Sequence, residues 1–208
     1  MTIEPDPNGI SWAERDDPDV VVETPPTLRT GDRMSAIDDL VAYAASLDSL
    51  IADPSTPWRA EYLSLIAPNE TPARAAEMAR MSGCALVLRG VLRRFILHPI
   101  LEAPYRTGDA MADLAAIARE ADAHRGAGAT PQAGDIVIVG GGTDGGGSEH
   151  CWICIGEWGI DGGQVVDGYQ AVTRREHRVV DGWDATATYR RRVRAVIRCG
   201  DVVARFGR

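Results

Sequence analysis

The chain has 208 residues, and all 22 of its basic side chains are arginine, so lysine is absent. Without an ε-amine the protein has no P-loop lysine, no Schiff-base lysine and no Ser-x-x-Lys acyl enzyme, and its chemistry must come from Cys, His, Ser, Tyr or carboxylate side chains. The length, the 45% content of hydrophobic residues and the formal net charge of −8 predict a single acidic globular domain.

The first segment, residues 1–31, contains five prolines and many acidic residues, which predicts an extended acidic, Pro-rich arm ahead of a domain over 32–208. The arm has neither the basic region nor the apolar run of a secretion signal, and no stretch of the chain approaches 18 uninterrupted apolar residues. The four cysteines are too few for a disulfide scaffold. We therefore expect a protein that is cytoplasmic as synthesised and does not enter a membrane.

The next part of the chain reads as helical. Apolar residues recur at three- and four-residue spacing after Ser35, and Thr-Pro pairs place a capping hydroxyl before a first-turn proline. A further segment that opens with Ser82 and Gly83 is apolar on nearly every side, which predicts a buried helix that ends near His98. The remaining helices are predicted over 35–52, 57–66, 72–81 and about 109–123.

After Gly134 the apolar residues become typical of strands. Strands are predicted over 135–139, 151–156, 164–167, 193–198 and 202–206. Because the helices come first and the strands follow, we expect an α+β fold in which N-terminal helices, including the buried helix of Cys84, pack on a mostly antiparallel β-sheet.

Two motifs resemble ligand sites without meeting their structural requirements. Gly140, Gly142 and Gly145 match the dinucleotide-binding pattern G-x-G-x-x-G, but a strand follows them where the pyrophosphate needs a helix N-terminus, so we interpret them as a loop. His150, Cys151 and Cys154 could form a zinc site, completed by His177 or Cys199. A strand sends residues three apart to opposite faces, which makes core positions the favoured interpretation of Cys151 and Cys154.

Cys84 is the candidate nucleophile. In the first turn of the helix that opens at Ser82, it would lie where backbone N–H groups lower a thiol pKa and can receive an oxyanion. The alternative is that Cys84 is an ordinary interior residue of an apolar helix.

Two later residues complete the candidate site. His150 opens the strand that follows the glycine loop, and Asp167 ends the next strand, which is predicted to pair antiparallel with it. That pairing would bring the carboxylate near the imidazole to orient it and to stabilise its charged form. Gln170 is the alternative orienting residue. The remaining histidines are interpreted as ordinary surface or capping residues: His98, His124 and His177.

The order Cys, His, acid, together with three local motifs, resembles the papain-like cysteine amidases and peptidases of the NlpC and CHAP type. The motifs are Ser82-Gly83-Cys84, Pro131-Gln132-Ala133-Gly134-Asp135 and Val165-Val166-Asp167, within a region of about 72–170. The resemblance implies a papain-like hydrolase that cleaves a peptidoglycan peptide through a thioester and needs no metal or organic cofactor. In it Cys84 is the nucleophile, His150 the general base and then acid, and Asp167 the orienting residue.

A rival interpretation comes from the charge distribution. Residues 174–208 contain ten arginines and four acidic residues, so a non-catalytic binding or structural module could use these strands as its contact surface. We expect instead that the arginines offset the acidic N-terminal half or lie on a solvated face, with no nucleic-acid partner. A zinc-binding module is the third interpretation. If the cell wall is the substrate, a delivery system or an immunity protein is an expected partner.

Overall fold

The structure is a computed structural model in which residues 30–48, 59–103, 110–142, 149–156, 158, 162–168, 172–180, 182–184 and 191–208 are described. Most of the predicted N-terminal arm lies outside the described residues, as do the tip of the glycine loop at 143–148 and the alternative orienting residue Gln170. The described part of the chain has an α+β fold with an antiparallel sheet, as predicted.

Six helices are described, and five of them precede the main strands. They are α1 (Thr30–Ser46), α2 (Arg59–Ile66), α3 (Pro72–Phe95), α4 (Pro99–Glu102), α5 (Ala110–Glu120) and α6 (Cys199–Phe206). None of the helices within the described ranges is both long enough and apolar enough to cross a membrane.

The strands form one strongly curved, nearly closed sheet. They are β1 (His124–Arg125), β2 (Ile136–Gly142), β3 (His150–Cys154), β4 (Gly163–Gly168), β5 (Val172–His177), β6 (Val179–Val180), β7 (Trp183–Asp184) and β8 (Arg191–Ile197). Their order in the sheet is β5-β4-β3-β2-β8-β7-β6, with β1 paired to β8. The strands predicted over 135–139, 151–156, 164–167 and 193–198 are thus confirmed as β2, β3, β4 and β8.

The two faces of the sheet support two apolar clusters. The larger one packs the helices against the face that carries Cys151, Ile153 and Val166. The smaller one fills the concave side around Trp152, and its other buried members are Val137, Val139, Cys154, Val165, Val193 and Val196. Alternation along β3 therefore places Cys151 toward the helices and Trp152 inside the curve of the sheet.

The structure corrects the predicted start of the nucleophile helix. One continuous helix, α3, replaces the two that were predicted over 72–81 and from Ser82 onward. Its N-cap is Thr71, whose hydroxyl accepts a hydrogen bond from the Arg74 N–H at 3.3 Å, with Pro72 in the first turn. A glycine at position 83 weakens a helix by only about 1 kcal/mol, so burial of the apolar segment carries the helix through it. Cys84 consequently lies in the interior of α3, and its predicted first-turn position is wrong.

The last element is also different from its prediction. Residues 202–206 were predicted as a strand because of their paired valines, but Cys199–Phe206 is the helix α6. Cys199, Val202 and Val203 are its buried residues. Their spacing of three and four residues is that of one helix face, and burial of this face outweighs the strand preference of valine.

Candidate active site

The interior of α3 brings Cys84 against the first residues of β3. Its side chain is only 7% exposed and belongs to the same apolar cluster as Cys151. Side-chain hydrogen bonds join the Cys84 thiol to Cys151 and to His150, and a backbone hydrogen bond from Cys151 adds a third contact. The predicted proximity of Cys84 and His150 is therefore present, although it arises in the middle of a helix.

Pairing of β3 with β4 brings the third residue to the site. The two strands are antiparallel with Trp152 opposite Asp167, which places the carboxylate diagonally across from His150. The distance from His150 Nε2 to Asp167 Oδ2 is 3.5 Å. His150 begins β3, and this terminal position lets its ring contact Cys84 from the helix side and Asp167 from the concave side.

The contacts give the cysteine and the histidine opposite charges at neutral pH. Hydrogen bonding by Cys151, followed by the hydrogen bond and charge of His150, outweighs burial and lowers the pKa of Cys84 to about 4. Burial opposes the charged form of His150, but hydrogen bonds to Asp167 and Cys84 raise its pKa to about 9. The pair is therefore a thiolate and an imidazolium between these two values.

Cys151 stabilises the thiolate of Cys84, a role that the sequence did not indicate. Burial among apolar residues raises its own pKa well above the ordinary value, so it remains a neutral thiol. A neutral thiol can donate its S–H to a thiolate, and Cys151 does so beside Cys84. The activation that was attributed to a helix N-terminus comes instead from this donor and from His150. Its only signal in the sequence is its position next to His150.

His177 is the residue that the sequence interpretation missed. It was interpreted as an ordinary surface residue, but it is 8% exposed and its ring stacks on Trp152 with centroids 4.2 Å apart. Its Nε2 lies 3.7 Å from Asp167 Oδ2, and its Nδ1 lies 3.4 Å from Asp184 Oδ1. The signal was the period of two along β5, which puts His177 on the same face as Thr173, the residue paired with Asp167.

Asp167 is the most strongly anionic group of the site. Burial favours its neutral form, but contacts with His150, His177 and Arg175 outweigh burial and hold its pKa well below the ordinary range. Arg175 Nε lies 3.5 Å from Oδ1, while both imidazoles face Oδ2. The carboxylate is thus ionised at neutral pH, where His150 is charged, as an orienting residue requires.

The residues of the zinc interpretation do not converge. Cys151 and Cys154 belong to the two clusters on opposite faces of the sheet, as strand alternation predicts. Cys199 is buried in α6, and burial raises the pKa of its thiol, which is adverse to a thiolate ligand. The described part of the chain holds no group of three or more His, Cys, Asp or Glu side chains that could bind a metal ion.

The other histidines and the arginine-rich segment have structural contacts. His98 is a capping residue as predicted, since its Nδ1 accepts from the Ile100 N–H at 3.3 Å, but it is buried rather than on the surface. His124 is exposed. From the arginine-rich segment, the Arg174 N–H donates to Asp48 Oδ1 at 3.0 Å, and its guanidinium donates to the Ala45 carbonyl at 3.1 Å. Arg174 therefore contacts the acidic N-terminal half.

Comparisons with known proteins do not add a family to this geometry. No family model, no curated protein and no solved structure matches the chain.

Proposed function

We propose that the protein is a papain-like cysteine hydrolase that cleaves an amide bond through a thioester intermediate. The observation that supports it best is the connected series of Cys84, His150 and Asp167, in which a thiol, an imidazole and a carboxylate from three elements contact one another in sequence. A thiolate paired with an imidazolium is the reactive form of a cysteine nucleophile, whereas a binding module does not require this charge state.

The reaction that this arrangement supports begins with the thiolate of Cys84. Its sulfur attacks the carbonyl carbon of the amide, and the His150 imidazolium transfers its proton to the departing nitrogen as the C–N bond breaks. The products of this half are a free amine, a Cys84 thioester and a neutral imidazole. His150 then takes a proton from water, which attacks the thioester and releases the carboxylic acid and the thiolate. Asp167 holds the imidazole and stabilises its charged form in both halves.

The substrate class that we propose is a peptidoglycan peptide. Its support is the resemblance of Ser82-Gly83-Cys84 and of the residues that lead into β2 to the NlpC and CHAP enzymes.

The test is incubation of the purified protein with purified peptidoglycan, followed by mass analysis of the soluble fragments. The matched variants are Cys84→Ala and Cys199→Ala, because both remove a buried thiol but only the first lies at the site. We expect new peptide fragments from the wild type and from Cys199→Ala, and none from Cys84→Ala.

Two outcomes would count against the proposal, and they differ in what they reject. Identical fragments from the wild type and Cys84→Ala would reject Cys84 as the nucleophile. Absence of fragments from every protein, combined with alkylation of Cys84 by iodoacetamide at a rate that does not change between pH 6 and 7, would reject peptidoglycan as the substrate and leave the cysteine chemistry in place.

A further inference from the structure

The concave side of the sheet contains a buried histidine behind the candidate site. His177 ends β5, and three strands surround its ring: Trp152 of β3 stacks on it, Asp167 of β4 faces one ring nitrogen, and Asp184 of β7 faces the other. Asp184 has no exposed surface. A titratable residue buried between two carboxylates is not needed to close an apolar core, which suggests a role in the site that it adjoins.

The positions of the two carboxylates define the charge of His177. A neutral imidazole has one N–H donor and one acceptor nitrogen, whereas an imidazolium has two donors. Because the Nε2 of His177 faces Asp167 and its Nδ1 faces Asp184, only the imidazolium can satisfy both carboxylates. The hydrogen bonds to Asp167 and Asp184 outweigh burial and raise the pKa of His177, in agreement with this geometry.

The Asp167 carboxylate has cationic groups near each of its two oxygens. His150 and His177 both face its Oδ2, at 3.5 and 3.7 Å, while Arg175 lies 3.5 Å from Oδ1. Arg175 is 61% exposed, so its guanidinium is hydrated and can follow a carboxylate that rotates away from His150. His177 is the buried contact that keeps Oδ2 directed toward His150.

We propose that His177 is a positioning residue of the cysteine hydrolase, which holds Asp167 against His150 from inside the sheet. The inference rests on the proposed function, and it extends the site from three residues to a series that continues through His177 to Asp184. The charged or titratable groups that face His177 among the described residues are Asp167 on β4 and Asp184 on β7, with Arg175 on its own strand and His150 beyond Trp152 on β3.

The experiment measures the pKa of His150 by NMR titration of the histidine ring carbons in the full chain. The protein has four histidines, which can be assigned one by one through substitution. The test variant is His177→Phe, which keeps an aromatic ring on Trp152 but removes both donors. The matched control is His98→Phe, which removes another buried histidine that packs on Phe206 and contacts Glu120.

We expect His177→Phe to lower the pKa of His150 by about one unit or more, a tenfold or larger change in its proton affinity, because the released carboxylate turns toward Arg175. Loss of the positive charge of His177 alone would instead raise the pKa of His150, since removal of a nearby cation raises the pKa of an imidazole. The direction of the shift therefore separates positioning from a simple charge effect. His98→Phe is expected to lower stability without a shift in the pKa of His150.

An unchanged or raised pKa of His150 in folded His177→Phe would overturn the proposal. If that variant does not fold, His177→Gln decides the question, because its amide N–H can replace that of His177 Nε2 beside Asp167 but carries no charge. It is expected to lower the pKa of His150 by less than the Phe variant, and no change would again overturn the proposal. The titration needs no substrate, so failure of the peptidoglycan assay and failure of the positioning role are distinguishable.

Discussion

Alkylation of Cys84 by iodoacetamide as a function of pH gives the most direct test of the charge state of the site. A thiol with the ordinary pKa of 9.0 is about 0.1% ionised at pH 6, whereas Cys84 with a pKa of about 4 is about 99% ionised. The thiolate population at pH 6 is therefore about a thousandfold larger for Cys84. We expect its alkylation rate to reach a plateau by about pH 5.

The absolute rate is a weaker indicator than the shape of this profile. The logarithm of the rate constant of a thiolate falls by about 0.4–0.5 for each unit by which the thiol pKa decreases. A decrease of five pKa units therefore lowers the intrinsic reactivity about 100- to 300-fold. The net advantage of Cys84 at pH 6 is then only about three- to tenfold, and low exposure reduces it further. From pH 6 to pH 7, however, the alkylation rate of an ordinary thiol increases about tenfold, whereas the rate of Cys84 is expected to stay constant.

The variants of this assay identify the groups that stabilise the thiolate. Cys84→Ser measures the background from the other three cysteines, which are all buried. His150→Gln removes the positive charge beside Cys84 and Cys151→Ala removes a hydrogen bond to it, so both should raise the pKa of Cys84 and restore a rate that increases with pH. A wild-type rate that increases tenfold per pH unit from pH 5 to 8 would refute the thiolate–imidazolium pair.

The remaining predictions concern one catalytic variant and two helix contacts. Asp167→Asn should reduce amide hydrolysis by about 10²- to 10⁴-fold, and it should move the alkaline limit of activity below pH 9 because the imidazolium of His150 loses its anionic partner. Gly90→Ala should lower the free energy of unfolding by about 1–3 kcal/mol, since a Cβ there would lie 2.7 Å from a Leu65 side-chain carbon of α2. Arg89→Met should cost about 2–3 kcal/mol, because it breaks the largely buried ion pair of α3 with Asp113 of α5.

Each of these predictions has a control within the chain. Gly126→Ala meets no atom within 4 Å, so it should be close to neutral in urea unfolding, and a similar loss in both glycine variants would contradict the close approach of α2 and α3. Arg74→Met breaks an exposed ion pair with Glu77 and should cost less than about 1 kcal/mol. Equal losses from Arg74→Met and Arg89→Met would show that burial of the second pair contributes nothing.

Local sequence patterns predict those elements in which a short apolar run is compatible with only one type of secondary structure. The strands β2, β3 and β4 were predictable because their side chains alternate or are uniformly apolar over four to seven residues, and the Thr71-Pro72 pair marks a helix start through its hydroxyl and fixed φ. The contact of His150 with Asp167 followed from antiparallel pairing of neighbouring strands. These inferences use interactions between residues that are close in sequence or on consecutive strands.

Burial decided the elements for which local preferences were evenly balanced. The Ser82-Gly83 pair is compatible with a helix start, and only the packing of α3 across the sheet shows that the helix continues through it. Residues 202–206 have the preference of a strand, yet α6 forms because one of its faces covers the apolar cluster. In both cases the free energy of burying a long apolar face exceeds the small cost of a glycine or of paired valines in a helix.

The candidate nucleophile, base and orienting residue were identifiable from residue type and order, because the chemistry of a thiol needs an imidazole and a carboxylate nearby. Their electrostatics were decided only by the tertiary structure. The S–H of Cys151 contacts Cys84, and His177 of β5 reaches Asp167 of the neighbouring strand β4. The curvature of the sheet brings Asp184 to His177 from β7, which is distant from β5 in the strand order. Hydrogen-bond donors and buried charges act over a few ångströms in space, and sequence separation does not report such distances.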